Sequence, residues 1–372
     1  MLGLYLHIPF CSSICNYCNF NRGLLDQSLA ERYVAALEQE VLRSGAGEAA
    51  DTVYFGGGTP SLLQPAEIGR LIAACRRAFA LDGDAEVTLE TNPETAAFER
   101  LVGFREAGIT RISFGVQSFR DAELRRLGRV HSSARAVEAV ADARRAGFDN
   151  ISVDLMMWLP GQSRDEWKES VEALVSVGAD HASLYLLELY PNAPLKEEMA
   201  RAGWSLAPDE DAASMYTWSM ERLEAAAYGQ YEISNVARNG RESRHNLKYW
   251  TDGAWLGLGC GAHSTRDGVR WKNVSGTEDY IGLVAAGRPA GSDRRVLTPA
   301  ERLEEALFTG LRLTEGVDIE AVGARYGVEV WSRFGRELQP FVDEGLLERR
   351  GPRLRLTRTG MLIANEIMAV FV

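Results

Sequence analysis

From residue 2 to about residue 190, short apolar runs alternate with stretches of helical periodicity, and this alternation limits the fold more than any other feature of the chain. The apolar runs have the length of buried strands and lie at 2–8, 52–55, 86–90, 111–116, 150–156 and 182–189. Helical patterns lie between them at 28–43, 65–79, 97–107, 133–146 and 164–177. Such repeated β/α units predict a parallel sheet covered by helices. The pattern alone allows either a doubly wound sheet or an incomplete barrel.

Single polar residues within apolar surroundings mark the ends of the predicted strands. They are Glu90, Asn92, Gln117, Asp154 and Glu188. In a parallel barrel, the carboxyl ends of the strands form the rim on which active sites are built. Strand ends also meet solvent, which would account for polar residues without any site. The site is favoured because the surrounding runs are apolar, and the prediction is an α/β fold with a partial (β/α)6, TIM-like barrel.

The alternation ends near residue 208. A helical pattern over 208–226 leads into short motifs, and a mostly helical segment begins near residue 297. Its helices at 299–310, 319–326 and 330–344 precede a Gly-Pro hairpin at 346–357, an order that resembles a winged helix. We therefore predict a barrel in 1–230, a connecting segment in 231–296 and a mostly helical, winged-helix-like C-terminal domain in 297–372.

Charge and composition narrow the range of functions. The net charge of −11 disfavours a nucleic-acid partner, because phosphate binding depends on Lys and Arg. No apolar run approaches the roughly 20 residues that span a bilayer. The first residues carry no basic region before their apolar stretch, which predicts a strand and not a signal peptide. Five cysteines, three of them clustered, are typical of a reducing compartment, so a cytoplasmic location is expected.

The clustered cysteines are Cys11, Cys15 and Cys18, with the spacing C-x-x-x-C-x-x-C directly after the first predicted strand. A [4Fe–4S] cluster normally takes four Cys ligands, so three would leave one iron open to a small molecule. A zinc site with His7 as a further ligand, or a disulfide with one Cys left over, are the alternatives. The two remaining cysteines, Cys75 and Cys260, are predicted to be small buried apolar residues.

A glycine-rich motif, VYFGGGTPS at 53–61, follows the second predicted strand. Without a Cβ atom, glycines let backbone amide and carbonyl groups approach a ligand closely. A tight turn would explain them equally well. The motif lacks the G-x-x-x-x-G-K-[ST] pattern of a phosphate-binding loop.

Together, the cysteine motif and the GGGTP motif resemble the radical S-adenosylmethionine superfamily. The resemblance implies a partial (β/α)6 barrel whose cluster binds S-adenosylmethionine through its open iron. One electron from the reduced cluster then cleaves the sulfonium and yields a 5′-deoxyadenosyl radical, which is chemistry that the protein holds and directs.

Further motifs resemble the oxygen-independent coproporphyrinogen III oxidase group: YLHIPFC at 5–11, FGVQS at 114–118, LGRVH at 127–131 and DLMMWLPGQ at 154–162. The resemblance extends over nearly the whole chain. It implies that Tyr5 supports the cofactor beside the cluster, and it gives the cofactor these further contacts: Gly57, Gly58, Thr59, Glu90, Gln117, Arg129 and Asp154. A structural role is the alternative for each; Arg129 and Asp154 would then form an ion pair across the rim.

Two departures from the oxidase pattern point to one branch of the group. The oxidases carry a further cysteine two residues after the third, where this chain has Phe20. Phenylalanine there, with HNLKYW at 245–250, resembles the heme chaperones of the HemW type. That resemblance implies heme binding with His245 as candidate ligand, since imidazole is a common axial ligand. His263 and Cys260 are further candidates, and a purely structural role for His245 is the alternative.

The resemblance implies a protein that binds a [4Fe–4S] cluster, S-adenosylmethionine and heme, and that passes heme to recipient proteins such as membrane respiratory proteins. It also implies transfer gated by a homodimer. The alternatives are radical decarboxylation of coproporphyrinogen III and, from another class, an RNA-modifying radical enzyme.

Overall fold

The computed structural model describes residues 1–191 and 193–372, and it contains the predicted β/α series. The strands of this part are β1 Leu2–Ile8, β2 Phe10–Cys11, β3 Gly23–Leu24, β4 Ala49–Gly57, β5 Ala80–Thr91, β6 Arg111–Gln117, β7 Ile151–Met157 and β8 His181–Leu186. The helices are α1 Gln27–Ser44, α2 Pro65–Ala78, α3 Phe98–Ala107, α4 Asp121–Arg126, α5 Ser133–Arg145 and α6 Arg164–Val177. Single 3-10 turns lie at Pro60–Leu62 and Pro93–Thr95.

The strands β1, β4, β5, β6, β7 and β8 lie side by side in chain order, and every neighbouring pair is parallel. Each connection passes through a helix, as parallel neighbours require. The predicted partial (β/α)6 barrel is therefore confirmed.

The first strand shows why these residues fold in this way. The alternate residues Leu2, Leu4, Leu6 and Ile8 are at most 3% exposed and belong to the main hydrophobic core. The intervening positions face the barrel interior: a Cβ atom on Gly3 would lie 3.1 Å from the His245 ring. Since strand residues alternate between faces, one strand supplies both the core and the interior of the barrel.

The middle of the chain enlarges this sheet at both edges. It contains α7 Pro194–Ala202, α8 Asp209–Ala225, β9 Gly229–Glu232, β10 Asn235–Ala237, α9 Arg244–Trp250, β11 Trp255–Leu258, β12 His263–Arg266, β13 Val269–Asn273, α10 Thr277–Ala285 and β14 Gly291–Val296. β10 and β9 extend the sheet antiparallel beyond β8, whereas β11 pairs in parallel with β1. The complete order is β14-β13-β12-β11-β1-β4-β5-β6-β7-β8-β10-β9. The strands of the expected connecting segment are thus part of the main sheet, and the division into three parts remains a prediction.

The last part of the chain is mostly helical, as predicted. It contains α11 Pro299–Gly310, β15 Val317–Asp318, α12 Ile319–Tyr326, α13 Val330–Asp343, β16 Leu347–Arg350, β17 Arg353–Leu356, α14 Arg358–Met361 and α15 Ala364–Met368, followed by a 3-10 turn at Ala369–Phe371. The small sheet β15-β17-β16 beside α11, α12 and α13 gives the winged-helix-like arrangement. Its buried residues are continuous with the core of the barrel.

A small second core lies over the rim of the barrel. Its buried members are Leu127, Met156, Leu159, Leu187, Leu195 and Met199, and Tyr17 of the cysteine motif packs against them. Asn16 adds polar anchors, because its Nδ2 atom donates to Arg126 O at 2.8 Å and to Glu198 Oε2 at 2.7 Å. The cysteine loop is therefore held by this second core and by the hydrogen bonds of Asn16, in addition to its connection to the sheet.

None of the helices in the described part of the chain combines the length and apolar character of a membrane span.

Candidate functional site at the barrel rim

A cavity of about 390 Å³ opens at the carboxyl ends of the parallel strands. Ten of the residues predicted from the sequence line it: Cys11, Cys15, Cys18, Gly57, Gly58, Thr59, Glu90, Gln117, Arg129 and Asp154. They come from six separate stretches of the chain, and only the barrel brings them together. Asn92 and Glu188, which also mark ends of predicted strands, line it too, whereas Tyr5 and His245 do not.

The three clustered cysteines carry free thiols at one side of the cavity. Cys11 ends β2, whose pairing with β3 closes the cysteine loop. Burial raises the pKa of the Cys11 and Cys18 thiols above the usual thiol value. They are therefore protonated in the metal-free protein and release protons when they bind iron.

Two polar side chains from other elements point at these sulfurs. The Thr59 hydroxyl lies 3.7 Å from Cys11 Sγ, and Arg129 Nη1 lies 3.5 Å from Cys15 Sγ. Hydrogen bonds and positive charge at the sulfur ligands favour the more reduced state of an iron–sulfur cluster. The second Arg129 nitrogen, Nη2, donates to Asn92 Oδ1 at 2.7 Å and to Gly115 O at 2.6 Å.

Arg129 and Asp154 therefore do not form the ion pair that was the alternative to a binding role. Asp154 instead accepts from the Ser113 hydroxyl at 3.3 Å. Burial raises the pKa of Asp154 to about 6. Its carboxylate thus lies on the cavity wall as an acceptor for ligand hydroxyl groups.

The glycine motif forms the cavity wall beside the cysteine loop and is hydrogen-bonded to the chain that enters that loop. Gly58 N donates to Ile8 O at 2.8 Å, and Thr59 N donates to Phe10 O at 2.7 Å. A Cβ atom on Gly58 would lie 2.6 Å from Phe10 O, and one on Gly57 would lie 2.5 Å from the His7 ring. Gly57 also has a positive φ of 117°. Close approach of two chain segments thus requires both glycines, and it brings their backbone to the cavity.

Glu90 connects the glycine motif to the barrel interior. Its Oε1 atom accepts from the Tyr54 hydroxyl at 2.8 Å, and its Oε2 atom accepts from Gly57 N at 3.1 Å. Burial raises the pKa of Glu90 to about 7. A cationic ammonium group in the cavity would favour the ionised carboxylate.

Two further residues at the rim have distinctive positions. Gln117 ends β6 with a positive φ of 68°, a conformation that costs a non-glycine residue free energy and often occurs at binding sites. Phe20 lies on the edge of the cavity and is 65% exposed. The position at which the oxidase pattern has a further cysteine is therefore open to solvent.

His245 lies inside the barrel on α9 and is 1% exposed. Its Nδ1 atom is 2.8 Å from Thr52 Oγ1, and its Nε2 atom is 3.0 Å from Tyr249 Oη. Burial lowers the pKa of His245 to about 3, so the ring is neutral. Both nitrogens are engaged within the protein, so in this conformation His245 presents neither to an iron ion. The structure also locates the two further candidate heme ligands. Cys260 is buried, and His263 lies on β12.

A second and larger chamber, of about 910 Å³, lies between the barrel interior and the C-terminal helices. It shares four lining residues with the rim cavity: Glu90, Tyr185, Leu186 and Glu188. Tyr5 belongs to this chamber, and its hydroxyl is 3.2 Å from His7 Nδ1. Tyr249 and Trp250 of the HNLKYW motif also line it. A ligand in the chamber would meet a ligand in the rim cavity at the shared residues.

Comparison with known proteins agrees with this geometry. The Radical SAM superfamily model matches residues 5–174, and the HemN C-terminal domain model matches residues 297–363. The coproporphyrinogen III oxidase HemN from Escherichia coli superposes with a TM-score of 0.88 at 24% identity, covering 100% of this chain and 89% of that one. At that identity the likeness concerns the fold alone.

Two curated relatives decide the family. A protein named heme chaperone HemW from Bacillus subtilis is 36% identical and covers 100% of this chain and 99% of its own length. One of the same name from Mycobacterium tuberculosis is 37% identical, with 98% and 93% covered. The chain belongs to the HemW family of radical S-adenosylmethionine proteins.

Membership in the HemW family gives the chain a [4Fe–4S] cluster and S-adenosylmethionine as cofactors. Among the described residues, no three His, Cys, Asp or Glu side chains are close enough to hold a single metal ion. In a [4Fe–4S] cluster each thiolate binds its own iron. The three thiols, with Thr59 and Arg129 behind them, fit such a group.

One rim side chain expected from the sequence joins the walls of the HemW-family site, and another was overlooked. Asn92 links the walls, since its Nδ2 atom donates to Thr59 Oγ1 at 3.1 Å while its Oδ1 atom accepts from Arg129. Its position at a strand end placed it among the rim residues predicted from the sequence. Tyr185 borders both cavities, and only the alternation along β8 indicates that it faces the barrel interior.

Proposed function

We propose that this chain is a heme chaperone that takes up heme and delivers it to recipient heme proteins. The observation that carries the proposal is full-length similarity to curated proteins of that name, at 36% and 37% identity. The chamber next to the rim cavity supports it, because about 910 Å³ lies within the ~300–1,000 Å³ range of small-molecule sites. A mostly apolar and aromatic wall suits a flat macrocycle.

The rim residues would have distinct roles in holding the cofactors. Cys11, Cys15 and Cys18 would bind the cluster, whose chemistry with S-adenosylmethionine is a one-electron cleavage of the sulfonium. The backbone of Gly57 and Gly58, with Glu90, would receive the methionine part of the cofactor. Its amino group would lie near the Glu90 carboxylate, where opposite charges stabilise each other in a site of low dielectric constant.

The remaining polar groups would orient the other end of the cofactor. Asp154 and Gln117 would accept from and donate to the ribose hydroxyls, and Arg129 would pair with the carboxylate. Thr59 would hold the loop on which Cys11 lies. Tyr5 would support the cofactor from below, across the boundary between the two cavities.

The proposal includes the setting of the transfer. A cytoplasmic protein would pass heme to membrane respiratory proteins as a peripheral partner, and a homodimer would gate the transfer. Size-exclusion chromatography with light scattering, with and without the reconstituted cluster, tests the homodimer. Equal masses in the two states would contradict the gating.

One experiment separates carriage from conversion of a porphyrin. The anaerobically reconstituted protein is titrated with heme and, separately, incubated with coproporphyrinogen III, S-adenosylmethionine and a reductant. We expect stoichiometric heme uptake and no protoporphyrinogen IX. Enzymatic turnover of coproporphyrinogen III would reject the chaperone in favour of the oxidase, whose fold this chain shares.

A further inference from the structure

The chamber contains an arrangement that the motif analysis did not anticipate: a tyrosine backed by a histidine. Tyr249 lines the chamber, and its hydroxyl oxygen is 3.0 Å from His245 Nε2. His245 itself does not line the chamber, and its other nitrogen is engaged by Thr52. Of the two residues, only Tyr249 therefore borders the space that a molecule in the chamber would occupy.

Resting on the proposed heme-carrying function, we propose that Tyr249 is an axial ligand of ferric heme bound in this chamber, and that His245 is its positioning residue. A phenolate oxygen is an established heme ligand, as in catalase. When the iron–oxygen bond forms, the phenolic O–H bond breaks, and His245 Nε2 accepts the proton. The iron remains ferric, so no electron donor is needed.

The surroundings of His245 suit this role. With Nδ1–H donated to Thr52 Oγ1, Nε2 is left as an acceptor for the Tyr249 hydroxyl. The imidazole ring also stacks on Tyr54, with ring centroids 5.1 Å apart, which fixes its plane. The neutral ring of the free protein would gain a proton only when the neighbouring phenolate forms, because that negative charge favours the imidazolium.

Three buried polar atoms around the chamber have no hydrogen-bond partner among the described residues. The three atoms are Trp250 Nε1, Asn235 Oδ1 and Arg312 Nε, and the residues that carry them all line the chamber. Buried polar atoms are normally paired, so these three are available to hydrogen-bond polar groups of a molecule in the chamber. Arg312 lies 4.3 Å from the centroid of the Trp250 ring, so the two form one continuous wall.

The other tyrosines of the chamber are less suited to bind iron. The Tyr54 hydroxyl donates to the Glu90 carboxylate, and the Tyr216 hydroxyl donates to Ile233 O at 2.8 Å. Tyr5 also contacts a histidine, His7, but that ring lies beneath the glycine motif at the cluster side. Tyr185 is 42% exposed at the passage between the two cavities, where it marks a route of entry.

The test uses the full-length protein and ferric heme, with absorption and electron paramagnetic resonance spectra as readouts. The wild-type complex should show the high-spin ferric signal and the phenolate-to-iron charge-transfer band. Tyr249→Phe should abolish that band and weaken heme binding at least about tenfold. Tyr216→Phe is the matched control, because it removes another hydroxyl from the same chamber and should retain the band.

His245→Gln separates a positioning role from a merely structural one. It should weaken heme binding while the charge-transfer band remains, since the iron ligand is still present. A wild-type spectrum of imidazole-ligated heme without the phenolate band, lost in His245→Gln and retained in Tyr249→Phe, would overturn the proposal and restore His245 as the ligand. A band lost only in Tyr185→Phe or Tyr5→Phe, or absent from the wild-type complex, would overturn it as well. Failure of the wild-type protein to take up any heme would reject the proposed function itself.

Discussion

The Tyr54 hydroxyl donates a hydrogen bond of 2.8 Å to the Glu90 carboxylate, and this pair joins the two cavities of the barrel. Tyr54 lines only the inner chamber, whereas Glu90 borders both. A change in the charge of Glu90 when a ligand binds at the rim would therefore alter its hydrogen bond to Tyr54 in the chamber wall. The pair gives a physical route by which the cofactor site and the chamber influence each other.

Glu90→Gln should stabilise the cofactor-free protein at alkaline pH. The pKa of Glu90 is raised from 4.5 to about 7 by burial, so the folded state holds its proton where the unfolded state has lost it. Its ionisation therefore lowers the free energy of unfolding as the pH rises from about 4.5 to 7, by about 3 kcal/mol. The amide removes this loss while keeping an acceptor for Tyr54.

Denaturant unfolding at pH 5 and pH 8 measures the effect. The variant should gain stability over the wild type at pH 8 and show little difference at pH 5. Glu188→Gln, at an exposed position on both cavities, is the control and should change neither value. S-adenosylmethionine should bind more weakly to Glu90→Gln than to the wild type. An unchanged affinity would show that Glu90 is not part of the cofactor site.

Arg129→Gln should make the reconstituted cluster harder to reduce. Arg129 Nη1 lies 3.5 Å from Cys15 Sγ, and a positive charge there stabilises the electron that the cluster gains. Loss of the charge should shift the midpoint potential in the negative direction by on the order of 50 mV, which corresponds to about tenfold in a one-electron equilibrium.

A redox titration followed by electron paramagnetic resonance measures that shift. Arg125→Gln removes a charge from an exposed position of α4, four residues before Arg129 in the chain, and should leave the potential unchanged. Equal midpoint potentials in Arg129→Gln and the wild type would show that Arg129 does not influence the cluster and contributes only to binding S-adenosylmethionine.

Features encoded locally could be predicted from the sequence. The strand β1 occupies the predicted residues 2–8, and α6 occupies 164–177, because apolar periodicity and a Ser163 N-cap with Glu166 define them within the segment itself. The rim residues were also found, since parallel strands of a barrel end at one edge regardless of how far apart they lie in the chain.

Features that depend on distant pairing were missed. β11 is a parallel neighbour of β1 although some 250 residues separate them, and no local pattern specifies that register. The chamber depends on residues from Tyr5 to Met368. The motif around His245 was recognised, but periodicity in a helix of seven residues could not show that Tyr249 faces the chamber while His245 is enclosed.

Gly57→Ala and Gly58→Ala should each destabilise the protein and reduce cluster incorporation. A Cβ atom would lie 2.5 Å from the His7 ring in the first and 2.6 Å from Phe10 O in the second. The cysteine loop would have to move, and at Gly57 the φ of 117° adds backbone strain. We expect losses of about 2–3 kcal/mol, measured by denaturant unfolding together with iron per chain.

Gly69→Ala is the matched control for both variants. Gly69 lies within α2, and the nearest atom to an added Cβ would be 3.6 Å away. Alanine in a helix interior should raise the stability by about 0.5–1 kcal/mol and leave iron binding unchanged. Normal iron content in Gly58→Ala would show that the glycine motif does not support the cysteine loop.

Phe20→Cys should not convert the protein into an oxidase. Residue 20 lies at the edge of the rim cavity with 65% of its surface exposed, so the new thiol would be open to solvent. The cluster would keep Cys11, Cys15 and Cys18 as ligands, and one iron would remain open to S-adenosylmethionine.

Iron analysis, spectroscopy and an activity assay measure the outcome for Phe20→Cys. We expect four iron atoms per chain, as in the wild type, an unchanged response of the cluster spectrum to S-adenosylmethionine, and no turnover of coproporphyrinogen III. Phe20→Ser tests the loss of the ring alone and should behave in the same way. Turnover that appears in the cysteine variant but not in the serine variant would show that this one position decides between carriage and conversion of a porphyrin.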